Sequence, residues 1–357
     1  MFGYMINHWW WKWLGVVILL YTIIVGMLTP LKPGILSVDP MRLQAGNEAE
    51  VHVKAYNTQF DQAGNFSVFL RLDDNIFLPG SAIAVKSYSD ILVKFIIPEY
   101  VPGNDPIAVA SLIINNDIDG SAVLPASIFI ERDTEAKHSE DSSYLSEIKG
   151  LISEPAGIRF PYRNILNETI RNTFFHITLW FSMFIMLGTG VYYAIRYLSL
   201  GRLDDDLKSK SLTAVSVLYG LLGLLTGSIW ARFTWGTWWT GDVKLNMTAV
   251  AMLIYLAYFV LRSSVKDQDQ EARLASVYNI FAFVALIPLV FVIPRLTDSL
   301  HPGSGGNPAL GGEDLDHTLR MVFYPAILGF TLLGFWIVSL YYRTQKLAEK
   351  YWLKSSG

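Results

Sequence analysis

Six long apolar stretches, at residues 13–28, 173–197, 212–230, 248–261, 274–293 and 319–342, constrain this chain more than any other feature. About 20 mostly apolar residues cross the roughly 30 Å of a bilayer's hydrocarbon core. The stretches meet or approach that length, 248–261 only if it extends back through Leu245. The composition agrees: 52% of the 357 residues are hydrophobic and 17% charged, a balance rare in a water-soluble globule. Trp9, Trp10, Trp11 and Trp13 crowd the start of the first stretch, and Thr29-Pro30-Leu31-Lys32-Pro33 follows it in place of a small-residue cleavage site. It is therefore read as a retained span with an aromatic belt, not as a signal peptide.

The net charge of −3, with no long basic run, points to neither nucleic acid nor a strongly anionic surface as partner. The chain has no cysteine, which excludes disulfides, thiolate metal sites and a Cys-x-x-Cys-His heme attachment within it. It also lacks a Gly-x-x-x-x-Gly-Lys-Ser/Thr phosphate loop, so ATP hydrolysis would have to come from a partner.

Residues 34–132 have a different character. Val51, Val53 and Ala55 alternate with His52, Lys54 and Tyr56, the period-two pattern of a half-buried strand. Further β-rich runs occupy 66–72, 91–97, 107–114 and 122–130, separated by turn clusters such as Asp73-Asp74-Asn75 and Asn115-Asn116-Asp117. This spacing predicts a β-sandwich of immunoglobulin-like type. The charged run 135–143 reads as a linker, and 144–170, with Pro155, Gly157 and Pro161, as a segment along the membrane interface. The expected architecture is a membrane all-α bundle of six helices with an inserted extracytoplasmic β-sandwich. Its parts are a first helix (1–31), the β-domain (32–135), a linker (136–171) and a five-helix domain (172–357).

Lys and Arg in the short loops orient the spans. Arg196, Arg202, Lys208 and Lys210 follow the second span, Arg262, Lys266 and Arg273 the fourth, and Arg343, Lys346, Lys350 and Lys354 the sixth. All three groups share one side by parity, which is then cytoplasmic, with both termini. The β-domain and the loops after spans three and five fall on the outer, periplasmic side.

That outer side gathers three features. Trp230 is followed by Trp235-Gly236-Thr237-Trp238-Trp239-Thr240-Gly241-Asp242, His176 stands near the outer end of span two, and His301 lies just past span five. Tryptophan faces suit a large flat aromatic cofactor, and neutral imidazole is an axial ligand for heme iron. Two histidines from different helices would hold heme b without a covalent bond. The competing readings are interfacial anchoring for the tryptophans and interfacial polar roles for the histidines. Asp242 suits a helix cap or contacts on the propionate side of heme, and Lys244 or Arg232 a propionate partner. His317 is an alternative ligand or a helix-start residue; His8, His52 and His138 have no supporting context. The glycine-bearing loop 303–312 reads as a solvent loop or a point of close approach to the heme edge.

Thr226-Gly227-Ser228-Ile229-Trp230, then Trp235-Gly236-Thr237-Trp238-Trp239, Asp242 and Lys244-Leu245-Asn246, resembles the tryptophan-rich WWD signature of heme-handling proteins, and most of all the CcmC family, heme exporter protein C of cytochrome c maturation. The resemblance runs from about residue 171 onward, with the first span added by topology. It implies that His176 and His301 are the two heme-ligand positions. It further implies non-enzymatic loading of heme onto the chaperone CcmE, together with the CcmA/CcmB transporter and the small subunit CcmD, in the bacterial inner membrane. Three departures stand out: Gly241 occupies a position where the family usually has tryptophan, Lys244 replaces a usual arginine, and the β-domain is an insertion. A heme lyase, or cytochrome c synthetase, of the other assembly route shares the signature and is the alternative. Against it, Val243-Lys244-Leu245 follows Asp242 in place of a Pro-containing acidic stretch. A third reading is a structural adaptor whose tryptophans only anchor it.

Overall fold

The computed structural model describes residues 9–132, 144–145, 157–301 and 315–355. The linker expected at 135–143, the loop 303–312, His8 and His138 lie outside the described residues. The chain divides into two compact units, Met1–Leu28 with Glu168–Gly357, and Thr29–Asn167.

The first unit contains six helices long and apolar enough to cross a membrane: α1 (Trp10–Leu28), α2 (His176–Leu200), α3 (Leu203–Trp235), α4 (Val243–Ser264), α5 (Gln268–Ile287) and α6 (His317–Ser355). A 3-10 segment, Asn167–Phe174, leads into α2, and a π turn, Pro288–Val292, with a 3-10 turn, Ile293–Arg295, extends α5. Each apolar stretch corresponds to a helix. The fourth does extend back through Leu245, and α3 runs on to Trp235, which therefore closes a helix where a loop was expected. The helix ends follow local chemistry. Gly201, at φ 65°, and Gly236, at φ 78°, end α2 and α3 in the left-handed conformation that glycine adopts without penalty. Asp242, Asp267 and Asp316 accept backbone N–H groups of Lys244, Gln270 and Leu319 at the starts of α4, α5 and α6.

The bundle is built unlike a soluble one. Leu14, Val17, Leu253, Val260, Val277 and Phe281 face outward, whereas Ser182, Ser209, Thr213, Ser216 and Asn279 are buried. With lipid outside, helices gain by close approach and interhelical hydrogen bonds rather than by hiding leucine. Accordingly, Asn279 donates to Ser209 and Thr213 at 3.1 Å each. A Cβ on Gly15 would lie 3.1 Å from Leu332, and one on Gly329 would lie 3.0 Å from Ile18 and Leu19, so glycines set the α1–α6 crossing. At the end of the bundle carrying the α2–α3 and α4–α5 turns, Arg262 grips Asp206 with two hydrogen bonds (2.9 and 2.6 Å) and Glu271 with a third at 2.9 Å. This joins α3, α4 and α5.

The second unit is β-rich. Its strands are β1 (Gly34–Asp39), β2 (Arg42–Gln44), β3 (Glu48–Tyr56), β4 (Phe66–Asp73), β5 (Ile76–Pro79), β6 (Ala82–Ser87), β7 (Asp90–Ile96), β8 (Ile107–Asn116) and β9 (Gly120–Glu131). They form a four-stranded sheet, β1-β3-β7-β6, and a five-stranded one, β2-β9-β8-β4-β5, antiparallel except where β2 runs parallel to β9. Val51, Val53, Ile91 and Val93 of the first sheet share one apolar core with Leu70, Ala110, Leu112 and Ile128 of the second. The five expected runs are β3, β4, β7, β8 and β9; β1, β2, β5 and β6 lacked a readable alternation. Leu145 pairs with Phe77 on the edge strand β5 (2.8 and 3.0 Å) and covers Phe69, Phe77 and Ile113, which blunts an otherwise open edge.

Candidate functional site

The helix connectivity brings the start of α2, the end of α3, the start of α4 and the end of the α5 extension to one end of the bundle, opposite the Arg262 clamp. Two imidazoles stand there, each held in a defined way.

His176 is the first residue of α2. Its Nδ1 lies 3.0 Å from the Gly223 carbonyl and 3.2 Å from the Thr226 hydroxyl, both on α3. A carbonyl only accepts, so Nδ1 carries the proton and the lone pair resides on Nε2. The ring can lie this close because residue 227 is glycine: a Cβ there would stand 2.7 Å from His176 Cε1. Trp230 and Trp180 meet the imidazole edge-on, with centroids at 5.7 and 6.2 Å. Trp180 occupies a matching recess at Gly223, where a Cβ would come within 2.7 Å of its ring. The 3-10 segment is pinned to the same helix, because Trp230 Nε1 donates to the Thr169 hydroxyl at 3.1 Å and Asn172 to the Thr226 carbonyl at 3.0 Å.

His301 is held by Asp242. Its Nδ1 lies 3.1 Å from Asp242 Oδ1, which again assigns the lone pair to Nε2 once the ring is neutral. The same carboxylate accepts the Leu300 N–H at 2.7 Å and the Lys244 N–H at 2.9 Å. Burial pushes the Asp242 carboxyl up, but the Leu300 N–H, the Ser299 hydroxyl and the His301 ring together hold it below the usual carboxylate range. Burial, reinforced by the Lys244 charge and opposed by Asp242, lowers His301 to about 4. The ring is therefore neutral at physiological pH, the state that binds iron. Trp235 contacts it edge-on at 5.0 Å.

Of the residues expected at the site, His176 meets Trp230, and His301 meets Trp235 and Asp242. Trp238 and Trp239 are exposed in the turn between α3 and α4, where Trp239 Nε1 donates to Asn246 at 3.1 Å. Arg232 is engaged with the Gly236 carbonyl at the end of α3. His317 is exposed at the start of α6 and His52 pairs with Asp90 at 3.3 Å in the β-rich unit. Sequence reasoning missed Trp180, although its i, i+4 spacing from His176 was readable. It also missed the Gly223 carbonyl, for which no local signal exists, and read Thr226 only as the opening residue of the tryptophan-rich signature, not as a partner of His176. The donor set suits heme: two imidazoles that each retain Nε2 for a metal, flanked by aromatic rings.

The model of the family described as CcmC, heme exporter protein C, matches residues 155–354, more than half of the chain. The chain belongs to the heme exporter protein C family. Among curated relatives, the heme exporter protein C of Bradyrhizobium diazoefficiens is 30% identical over 171 residues, 46% of this chain and 62% of that protein. That of Paracoccus denitrificans is 28% identical over 169 residues, 47% of this chain and 67% of that protein. That of Escherichia coli K12 is 26% identical over 129 residues, 36% of this chain and 51% of that protein. The chain thus spans between half and two thirds of the length of these heme exporter C relatives. The family match takes in every residue of the candidate site and leaves the nine β-strands outside it.

Proposed function

We propose that this chain is a non-enzymatic, heme-binding membrane subunit of cytochrome c maturation. It presents heme b, held without a covalent bond, and delivers it to the heme chaperone CcmE in concert with CcmA/CcmB and CcmD. The observation that carries this reading is the pair of imidazoles at one end of the bundle. Each commits Nδ1 to a protein acceptor and keeps Nε2 for iron, the arrangement in which metal-binding histidines are oriented by an outer partner. His176 and His301 would hold the iron that bound heme would supply; Trp180, Trp230 and Trp235 restrict the imidazoles, and Lys244 would offer a cation for a propionate. Trp238 and Trp239 provide exposed aromatic surface in the turn that leads into Asp242, suited to a cargo that must leave again.

Loop charge supports an orientation with the Arg262 end in the cytoplasm and the heme site in the periplasm, within the inner membrane. Strand order supports an immunoglobulin-like reading of the β-rich unit: β1-β3-β7-β6 and β2-β9-β8-β4-β5 correspond in chain order to strands A-B-E-D and A′-G-F-C-C′.

The test is an absorption spectrum of the detergent-purified protein supplied with heme, oxidised and reduced. The expected spectrum is that of bis-imidazole heme, lost or shifted in both His176→Ala and His301→Ala and retained in His138→Ala. A wild-type spectrum in both ligand variants would overturn the assignment. Covalent cytochrome formed on coexpression with an apocytochrome and no chaperone would instead make the chain a heme lyase.

A further inference from the structure

Asp242 makes more contacts than a helix cap requires. One carboxylate, with its side chain 1% exposed, receives the Lys244 N–H that begins α4, the Leu300 N–H and the Nδ1 of His301, and Ser299 adds a hydroxyl. The segment 299–301 follows the Pro294 turn and makes no regular secondary structure, and those bonds tie it to the start of α4. The opposite imidazole is held differently. His176 Nδ1 meets a carbonyl and a hydroxyl, both uncharged. A charged acceptor strengthens the hydrogen bond it receives and moves electron density into the ring, which raises the donor strength of the other nitrogen.

We propose that Asp242 is a positioning residue for heme binding. Its carboxylate docks the His301 segment onto the start of α4 and makes His301 a stronger donor to iron than His176. This inference rests on the reading that both histidines ligate heme. The two imidazoles would then be unequal donors by construction, the carboxylate-backed one favouring ferric over ferrous iron.

Three variants of the full chain, purified and reconstituted with heme, test the proposal by midpoint potential, heme affinity and melting temperature. Asp242→Asn keeps a cap and an acceptor for His301 but removes the charge and sets an amide against the Leu300 N–H. It is expected to retain the bis-imidazole spectrum and to raise the midpoint potential. Asp242→Ala is expected to lower heme affinity by about 10–100-fold. Asp267→Ala removes the equivalent cap from α5 at the far end of the bundle and is expected to lower the melting temperature while leaving potential and affinity unchanged. Wild-type potential and affinity in both Asp242 variants, with the spectrum still lost in His301→Ala, would overturn the role of Asp242 alone. A wild-type spectrum in His301→Ala would overturn the ligand reading and this inference with it.

Discussion

Single residues set how well the two imidazoles are held. Gly227 is the clearest case, because a methyl group there would stand 2.7 Å from a His176 ring that two hydrogen bonds keep from turning aside. Gly227→Ala is expected to rotate the imidazole off the Gly223 carbonyl and forfeit about 1 kcal/mol. A heme titration should then show binding several-fold weaker, although no ligand atom has been removed. The candidate ligands themselves were legible as residue types at a shared end of the apolar stretches. Their partners were not. That Asp242 would cap a helix followed from its place before an apolar run, but its bond to His301, 59 positions away, could come only from the fold.

At the scale of elements, the helices are joined by small residues and by charged contacts, the Arg262 clamp among them. Arg262 and Asp206 are nearly buried, with side chains 7% and 9% exposed. Removing one partner of such a pair leaves the other charge stranded, at about 3–5 kcal/mol. Arg262→Ala should therefore lower the melting temperature in detergent sharply, and the double variant Asp206→Leu/Arg262→Met should recover much of the loss; a melting curve for each checks both. The clamp joins the ends of α3, α4 and α5 that lie opposite the histidines, so Arg262→Met/Asp206→Leu is also expected to keep the heme spectrum. Apolar run length in the sequence located each of the six long helices, because a 20-residue apolar run in lipid has no alternative to helix. Alternation located five of the nine strands among the described residues, because the short ones, such as Arg42–Gln44, contain too few residues to express a period of two.

For the whole molecule, each unit has a main apolar cluster of its own among the described residues. The fully buried members of the one in the β-rich unit run from Ile35 to Ile130, and those of the one in the helices from Leu179 to Val338. Excision of 34–132 with a short replacement linker is thus expected to leave a folded six-helix unit that still gives the bound-heme spectrum; loss of that spectrum would assign the β-rich unit a part in the site. Orientation is open to direct measurement because the chain has no cysteine. In intact cells stripped of their outer membrane, an impermeant maleimide should label Thr237→Cys and spare Ser199→Cys, and the reverse would invert the topology.

The sequence by itself determined that the chain has six stretches apolar enough to cross a membrane, that a β-rich unit interrupts them, and that tryptophan and histidine gather at one end of them. Each of these depends on local runs of hydrophobicity and charge, which act on a segment whatever surrounds it. Only the tertiary structure decided which nitrogen of each histidine is available, that Gly223 and Gly227 open recesses for Trp180 and His176, and that one carboxylate holds Leu300 and His301 to α4. Those are contacts between segments far apart in the chain, and hydrogen-bond direction and close approach exist only once the helices have been brought together.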